Sequence, residues 1–398
     1  MSSYDFVTRL DRRNAGSLKW NDAVDKAGGT LADGIVPLSV ADMEFVAPPE
    51  IRTALTSYLD GAVLGYAGPT QEFYDAVIGW QQRRHHWNPK QEWISVSPGI
   101  VAAIYNAVRC FTKPGDAVIV QQPVYYPFSA AVKDSGRNIA VNPLIHAEDG
   151  SYKMDFDNLE QLASRDDVSM LILCSPHNPV GRVWTDKELR KLIDICIAHE
   201  VFIVADEIHN DLVMPGYEHH TLMNLMTPTE YDYCMVCVAP SKTFNLAGCQ
   251  CSCIYLPNEE KRTRFDQGLR EVGVGLLNSF AFPATIAAYT QLEDWLDELI
   301  ELIWNNWQLC RSIIETAHPQ ALSSPLEGTY LQWVDLGFLG LNNEELEQLM
   351  RKHGLYLDEG HIFGAGGSGF ERINLAAPRE VIQEAARRFV AACDEICA

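Results

Sequence analysis

Short runs of apolar residues, bounded by polar or turn-forming positions, recur along roughly the first 240 residues of the chain. Their length is typical of buried strands, and stretches with helical periodicity separate them. The predicted strands are residues 93–96, 117–120, 139–141, 168–174, 201–205 and 235–239. This alternation predicts an α/β fold with a mostly parallel sheet that is covered by helices on both faces.

One helix between these runs is marked at its start. Thr185 and Glu188 have the spacing of a capping box, in which each residue satisfies a backbone N–H of the other. The apolar positions that follow recur at helical spacing: Leu189, Leu192, Ile193, Cys196 and Ile197. We expect this helix to begin after Thr185 and to lay its apolar face on the sheet.

The pattern changes near residue 294. A long helix is predicted from the spacing of four apolar residues, Trp295, Leu299, Ile303 and Trp307. Short strands are predicted at 330–334 and 372–375, followed by a final helix from about Arg379. We therefore expect a large domain over 51–293 and a small α/β domain over 294–398. Residues 1–50, with Pro37, Pro48 and Pro49, are expected to be extended and to pack on the small domain or a neighbouring subunit.

Charge narrows the range of partners. The 398 residues include 31 Lys and Arg against 53 Asp and Glu, a net charge of -22. Such a chain repels phosphate backbones and anionic bilayers, which argues against nucleic-acid and membrane binding. The amino terminus lacks an apolar signal core, and no run approaches the roughly 18 to 20 residues that span a bilayer. We expect a cytoplasmic enzyme.

The chain has eleven cysteines, which are expected to be reduced thiols. Cys249, Cys251 and Cys253 alternate, so on a strand they would share one core-facing side, and they lack a second ligand pair at zinc-finger spacing. Cys234 and Cys237 have redox spacing but lie in a predicted strand instead of opening a helix. We expect no metal site.

Candidate site residues follow the predicted strands, each at the point where a strand has just ended. Gly99, Ile100 and Val101 open a helix after the first strand and offer backbone N–H groups to a phosphate. The others are Tyr125 after the second strand, Asn178 after the fourth, Asp206 at the end of the fifth, and Ser241 and Lys242 after the sixth. Ligands of such sheets bind at the carboxyl ends of the strands, so one crevice would collect these groups.

Asp206 and Lys242 point to pyridoxal phosphate. The cofactor is commonly held as a Schiff base on a lysine while a carboxylate pairs with its pyridinium nitrogen. Taken singly, Asp206 could cap a helix, Asn178 could form a turn, Tyr125 could be core, and Lys242 could be a solvated loop lysine. Their shared position at strand ends favours a site.

Motifs along almost the whole chain resemble the fold-type I pyridoxal phosphate enzymes of the aspartate aminotransferase superfamily, and within it the cystathionine β-lyase (MalY/PatB) branch. The resemblance is carried by residues 40–45 (VADMEF), 65–66 (GY), 123–128 (PVYYPF), 175–182 (SPHNPVGR), 206–209 (DEIH), 241–248 (SKTFNLAG) and 370–374 (FERIN). It implies a large cofactor-binding domain and a smaller domain, in agreement with the predicted pattern.

The resemblance also implies roles around the cofactor. Lys242 would carry the cofactor and then remove the substrate Cα proton, and Asp206 would keep the pyridinium protonated. Asn178 would donate to the phenolic oxygen, and Tyr125 would stack on the ring. His209 stands where aminotransferases often have a tyrosine, and the alternative is that it supports the site without touching the cofactor. Three backbone positions, Gly99, Ile100 and Val101, would hold the phosphate together with Ser241.

Two further residues complete the implied site. Arg372 is the expected partner of the substrate α-carboxylate, because its planar fork makes two parallel charge-assisted bonds. Tyr66 would reach the site from a second subunit, which implies a homodimer with a shared active site.

The resemblance favours a carbon–sulfur lyase that acts on small amino-acid substrates, cysteine S-conjugates such as cystathionine. Residues 247–250 (AGCQ) lack the phosphate-binding arginine of many aminotransferases, which accords with the lyase branch. An aminotransferase remains an alternative, since both reactions begin alike, and so does a regulatory protein that keeps the cofactor site. Residues 364–369 match G-x-G-x-x-G, but a predicted strand follows them instead of a helix, which argues against a dinucleotide.

Overall fold

A computed structural model describes residues 4–61 and 63–397. The helices are α1 Leu18–Lys26, α2 Pro49–Gly61, α3 Gln71–His85, α4 Ile100–Phe111, α5 Pro127–Asp134, α6 Phe156–Ala163, α7 Asp186–Ala198, α8 Pro240–Thr243, α9 Glu259–Glu271, α10 Ala281–Gln291, α11 Glu293–Ala317, α12 Asn343–Lys352 and α13 Arg379–Cys397. The strands are β1 Ile94–Ser97, β2 Ala117–Val120, β3 Asn138–Val141, β4 Ile145–His146, β5 Tyr152–Lys153, β6 Val168–Cys174, β7 Phe202–Asp206, β8 Cys234–Val238, β9 Ser252–Tyr255, β10 Leu331–Asp335, β11 Asp358–Glu359 and β12 Phe370–Asn374.

The main sheet has seven strands in the order β1-β9-β8-β7-β6-β2-β3. Strands β3, β2, β6, β7 and β8 are parallel, whereas β9 is antiparallel to both β1 and β8. The mostly parallel sheet is therefore confirmed, and its predicted strands lie within one residue of those observed. Strand β9 was not assigned from the sequence, although Cys251 and Cys253 are buried in the core as expected. Cys249 lies outside the strand, in a 3₁₀ turn.

Apolar side chains cover both faces of this sheet. In β6, Leu171 and Leu173 face one core cluster, while Met170 and Ile172 face the other. A strand buried on both faces has no polar alternation, and this explains why it was recognisable as a continuous apolar run. Helix α7 begins with the predicted capping box, since Glu188 N donates to Thr185 Oγ1 at 3.3 Å and Thr185 N donates to Glu188 Oε2 at 2.9 Å.

The carboxyl-terminal part contains an antiparallel three-stranded sheet, β10-β12-β11, and two long helices, α11 and α13, that pack against each other. The amino-terminal segment crosses to this sheet: Asn374 N donates to Leu38 O, and Leu38 N donates to Tyr356 O, both at 2.9 Å. The expectation that residues 1–50 are extended was wrong in one part. Helix α1 interrupts the segment, and its Trp20 is buried.

Three negative findings apply to residues 4–61 and 63–397. No helix there is long and apolar enough to cross a membrane. No group of three or more His, Cys, Asp or Glu side chains is placed to hold a metal ion. All eleven cysteines lie within these ranges, and none forms a disulfide.

Candidate active site

A cavity of about 290 Å³ opens where the carboxyl ends of β1, β2, β6 and β7 meet. Ten of the eleven predicted site residues line it: Gly99, Ile100, Val101, Tyr125, Asn178, Asp206, His209, Ser241, Lys242 and Arg372. Tyr66 is the exception, since its side chain is 98% exposed and lies outside the cavity. The shared location at strand ends is therefore observed, while the individual roles stay predictions.

Lys242 lies in α8, the single helical turn that follows β8. Its Nζ donates a hydrogen bond to the carbonyl oxygen of Ala41 at 2.6 Å. Burial, with a smaller contribution from the positive charge of Arg372, lowers the pKa of Lys242 to about 8. An amine with this pKa is partly neutral near physiological pH and so retains a lone pair for attack or proton removal.

Asp206 is the last residue of β7 and is almost wholly buried. One of its oxygens accepts a hydrogen bond from Ile208 N at 3.1 Å. Burial raises the pKa of Asp206 to about 7, although this hydrogen bond and the charge of Lys242 favour the ionised form. A buried carboxylate of this kind gains most from a cationic partner, and a protonated ring nitrogen would supply one.

Arg372, on β12, is fixed by three neighbours. Its Nη1 donates to Asn178 Oδ1 at 2.9 Å, its Nη2 donates to Asp358, and its guanidinium lies 4.8 Å from the ring centre of Phe363. Its Nε is buried and has no hydrogen-bond partner among the described residues. Because Asn178 uses its oxygen on Arg372, its amide nitrogen is left to donate into the cavity.

Asp358 was missed in the sequence. It lies in the two-residue strand β11, which pairs with β12 so that Asp358 is opposite Arg372. No local motif marks a carboxylate whose partner comes from a different strand.

The opposite end of the cavity is built for an anion. Gly99 precedes α4 with φ 117°, a conformation that side-chain-bearing residues rarely adopt, and the amides of Ile100 and Val101 open the helix. Ser241 adds a hydroxyl group, and Gln250 also lines the cavity. Helix N-termini bind phosphate through such amides and through the helix dipole.

Tyr125 and His209 are uncharged near neutral pH. Burial raises the pKa of the Tyr125 hydroxyl well above its ordinary value, and burial lowers the pKa of His209 well below its ordinary value. The Nδ1 atom of His209 is buried without a hydrogen-bond partner in the described part of the chain, and its ring centre lies 5.9 Å from that of Tyr330.

Residues 40–44, which we call the 40–44 segment, form one wall of the cavity through Val40 and Ala41. The carbonyl oxygen of Ala41 accepts a hydrogen bond from Tyr330 Oη at 2.8 Å as well as the one from Lys242. The segment is therefore bonded both to the residue expected to carry the cofactor and to Tyr330, which directly precedes β10.

A buried ion cluster supports this segment from behind. Lys19 Nζ lies 2.6 Å from Asp42 Oδ1 and 2.9 Å from Glu44 Oε1, and its side chain has no solvent exposure. Arg12 and the indole of Trp20 also bind Glu44, at 2.7 and 3.1 Å. Sequence analysis missed Lys19, because a lysine in a short amphipathic helix is ordinarily solvated.

The chain is similar to known proteins in both sequence and fold. The family model for class I and II aminotransferases matches residues 33–389. The chain is 42% identical to the cystathionine beta-lyase PatB of Bacillus subtilis, over 98% of this chain and 99% of the relative.

Solved structures are similar as well. Cystalysin from Treponema denticola, whose structure contains a pyridoxal 5'-phosphate cofactor, matches with a TM-score of 0.96 and 43% identity over 99% of this chain and 100% of that one. The pyridoxal-phosphate-bound C-S lyase of Staphylococcus hominis matches with a TM-score of 0.90 and 29% identity over 98% of both chains.

Proposed function

Because the chain belongs to the class I and II aminotransferase family, we propose that it is a pyridoxal-phosphate-dependent carbon–sulfur β-lyase. It cleaves cysteine S-conjugates such as cystathionine to pyruvate, ammonia and a thiol. The observation that carries this proposal is the buried Lys242 amine, which shares one cavity with Asp206 and Arg372.

The residues present fit pyridoxal phosphate. Asp206 would pair with the ring nitrogen, Asn178 would donate to the phenolic oxygen, and Ser241 with the amides of Ile100 and Val101 would hold the phosphate. When bound to the substrate amine, the cofactor withdraws electrons from Cα and so makes the Cα proton acidic.

The protein's own residues bind the substrate and move its Cα proton. Arg372 offers N–H groups to the α-carboxylate, since only part of its donor set is used by Asn178 and Asp358. With the cofactor bound to the substrate amine, the free Lys242 amine would take the Cα proton. The Cβ–S bond breaks with its electron pair leaving on sulfur, and the thiolate takes up a proton. Water then converts the three-carbon product to pyruvate and ammonia.

The active enzyme is a homodimer in which Tyr66 enters the partner's cavity. Apolar side chains near Tyr66 are unusually exposed: Leu59 51%, Val63 90% and Leu64 65%. Exposed apolar side chains grouped in one short stretch of chain are typical of a surface covered by a second subunit.

Mixing two inactive variants tests the shared site. Tyr66→Ala and Lys242→Ala subunits, unfolded together and refolded, would form heterodimers with one intact site, and random pairing would restore about a quarter of wild-type activity. No recovery, or a monomer in light scattering, would disprove the shared site.

The activity itself is tested with purified protein, L-cystathionine and no keto acid. Equal, repeated release of pyruvate and free thiol is expected from wild type, and none from Lys242→Ala. A single stoichiometric conversion of the cofactor to its amine form, with turnover only after addition of a keto acid, would identify an aminotransferase instead.

The protein works in the cytoplasm. This part of the proposal rests on its eleven free cysteines, most of them buried, which suit a reducing compartment. Fractionation of the source cells would test it.

A further inference from the structure

Val40 has a backbone conformation that its side chain disfavours. Its φ is 30°, in the left-handed half of conformational space, where glycine and asparagine are common and β-branched residues are outliers. Such conformations persist where the surrounding structure imposes them, and they cluster at ligand sites.

The surroundings of Val40 impose this turn from both sides. Asn374 Nδ2 donates to the carbonyl oxygens of Val40 and Asp42, at 2.9 and 2.7 Å. The amide of Asp42 donates back to Val40 O at 2.8 Å, which closes the turn. The next carbonyl, that of Ala41, is held by Lys242. The backbone of Val40 therefore has little freedom to relax.

This turn places the Val40 side chain at the cavity. The side chain lines the cavity and remains 37% exposed, in contrast to the buried neighbours Ala41 and Met43. Five polar lining residues already have partners in the proposed reaction, namely the cofactor and the α-carboxylate: Asn178, Asp206, Ser241, Lys242 and Arg372. Three large apolar lining residues have no such task, Val40, Tyr126 and Ile208; Tyr126 is 48% exposed, whereas Ile208 is half-buried.

We infer that Val40 determines substrate specificity: its isopropyl group contacts the first carbons of the substituent on the substrate β-carbon and favours longer thioether chains over short ones. The inference rests on the proposed function, because it assumes that an amino acid binds between Lys242 and Arg372. If the position served the turn alone, asparagine would fill it with less backbone strain. The cost of valine is offset by apolar contact with the ligand.

The test compares Val40→Asn and Val40→Ala with the control Val46→Ala. Val46 is equally exposed, at 37%, but lies outside the cavity. Holoenzyme is titrated with L-alanine, L-norvaline and L-norleucine, which carry no β-leaving group, and binding is read from the cofactor absorbance. Separately, kcat/KM is measured for S-methyl- and S-propyl-L-cysteine.

We expect the affinity ratio of norleucine to alanine to fall on the order of tenfold in both Val40 variants, the scale of one methylene contact in an apolar pocket. The ratio of kcat/KM for S-propyl- over S-methyl-cysteine falls in parallel, and Val46→Ala leaves both ratios unchanged. Val40→Asn melts no lower than wild type, because asparagine tolerates positive φ.

An unchanged norleucine-to-alanine ratio in Val40→Ala would overturn the inference, as would equal weakening of all three amino acids. The lyase proposal fails separately, if wild type releases no pyruvate from any S-substituted cysteine. If wild type is not a lyase, the affinity ratios for norleucine and alanine still test the role of Val40. If Val40→Asn does not fold, the ratios of Val40→Ala alone test it.

Discussion

Replacement of Lys19 by methionine should destabilise the protein far more than an ordinary lysine substitution. Methionine keeps most of the length of the side chain but removes the amine that lies between Asp42 and Glu44. Both the lysine and Glu44 are buried, so the carboxylate that loses this partner cannot be rehydrated without opening the segment.

The magnitude follows from the remaining contacts. Loss of one partner from a buried ion pair costs about 3 to 5 kcal/mol. Arg12 and the Trp20 indole still bind Glu44, and Asp42 keeps Arg12, so the loss should lie near the lower end, about 3 kcal/mol. If the free energy of unfolding decreases by about 3 kcal/mol per molar urea, this loss lowers the urea concentration at the unfolding midpoint by about 1 M.

Urea unfolding of the holoenzyme measures this shift. The control is Lys187→Met at an exposed position, which should change stability by less than about 0.5 kcal/mol. A double variant, Lys19→Met with Glu44→Gln, should recover part of the loss, because the cluster then holds one positive charge, Arg12, and one negative charge, Asp42. If Lys19→Met and Lys187→Met shift the midpoint equally, the ion cluster does not support the 40–44 segment as argued.

Three further outcomes follow from the same structure. Covalent loading of pyridoxal phosphate into apoprotein requires neutral Lys242, whose pKa is lowered to about 8. The loading rate, measured by stopped-flow absorbance, should therefore fall tenfold per pH unit below about pH 8 and level off above it. An inflection near pH 10.5 would contradict this. Asp358→Asn removes a negative charge beside Arg372 but keeps the hydrogen-bond acceptor. L-alanine should therefore bind about fivefold more tightly in a cofactor-absorbance titration, because about 1 kcal/mol of repulsion between that charge and the α-carboxylate is removed. Weaker binding would refute this. Gly268→Ala would press a methyl group into Cys110, where α9 packs on α4. The free energy of unfolding, measured with urea, should fall by about 1 to 3 kcal/mol. Adding Cys110→Ala should restore part of this free energy, and no recovery would exclude that clash.

The main sheet was predictable because four of its five parallel strands, β2, β6, β7 and β8, are buried on both faces and therefore appear in the sequence as continuous apolar runs. Strand β9 was not, since it begins with Ser252 and has only three apolar residues, Cys253 to Tyr255. Helix α1 has only nine residues and a mostly polar sequence, so the prediction rested on the prolines that follow it, Pro37, Pro48 and Pro49.

Most of the site was predictable for a topological reason. Parallel strands bring the residues that follow them to one edge, so chain order alone collected Asn178, Asp206 and Lys242. Asp358 and Lys19 depend on partners that are distant in sequence, and no local pattern reports such pairs. The place of Tyr66 depends on a second chain, which the sequence of one chain implies only through resemblance.

The 40–44 segment also sets the order of events during synthesis. The hydrogen bond from Asn374 to the Asp42 carbonyl joins residues separated by 332 positions. At a translation rate of about 5 to 20 residues per second, about 20 to 70 s pass between the synthesis of Asp42 and that of Asn374. Until then the nascent chain lacks the two Asn374 hydrogen bonds that hold the turn at Val40 and Asp42, one wall of the cavity.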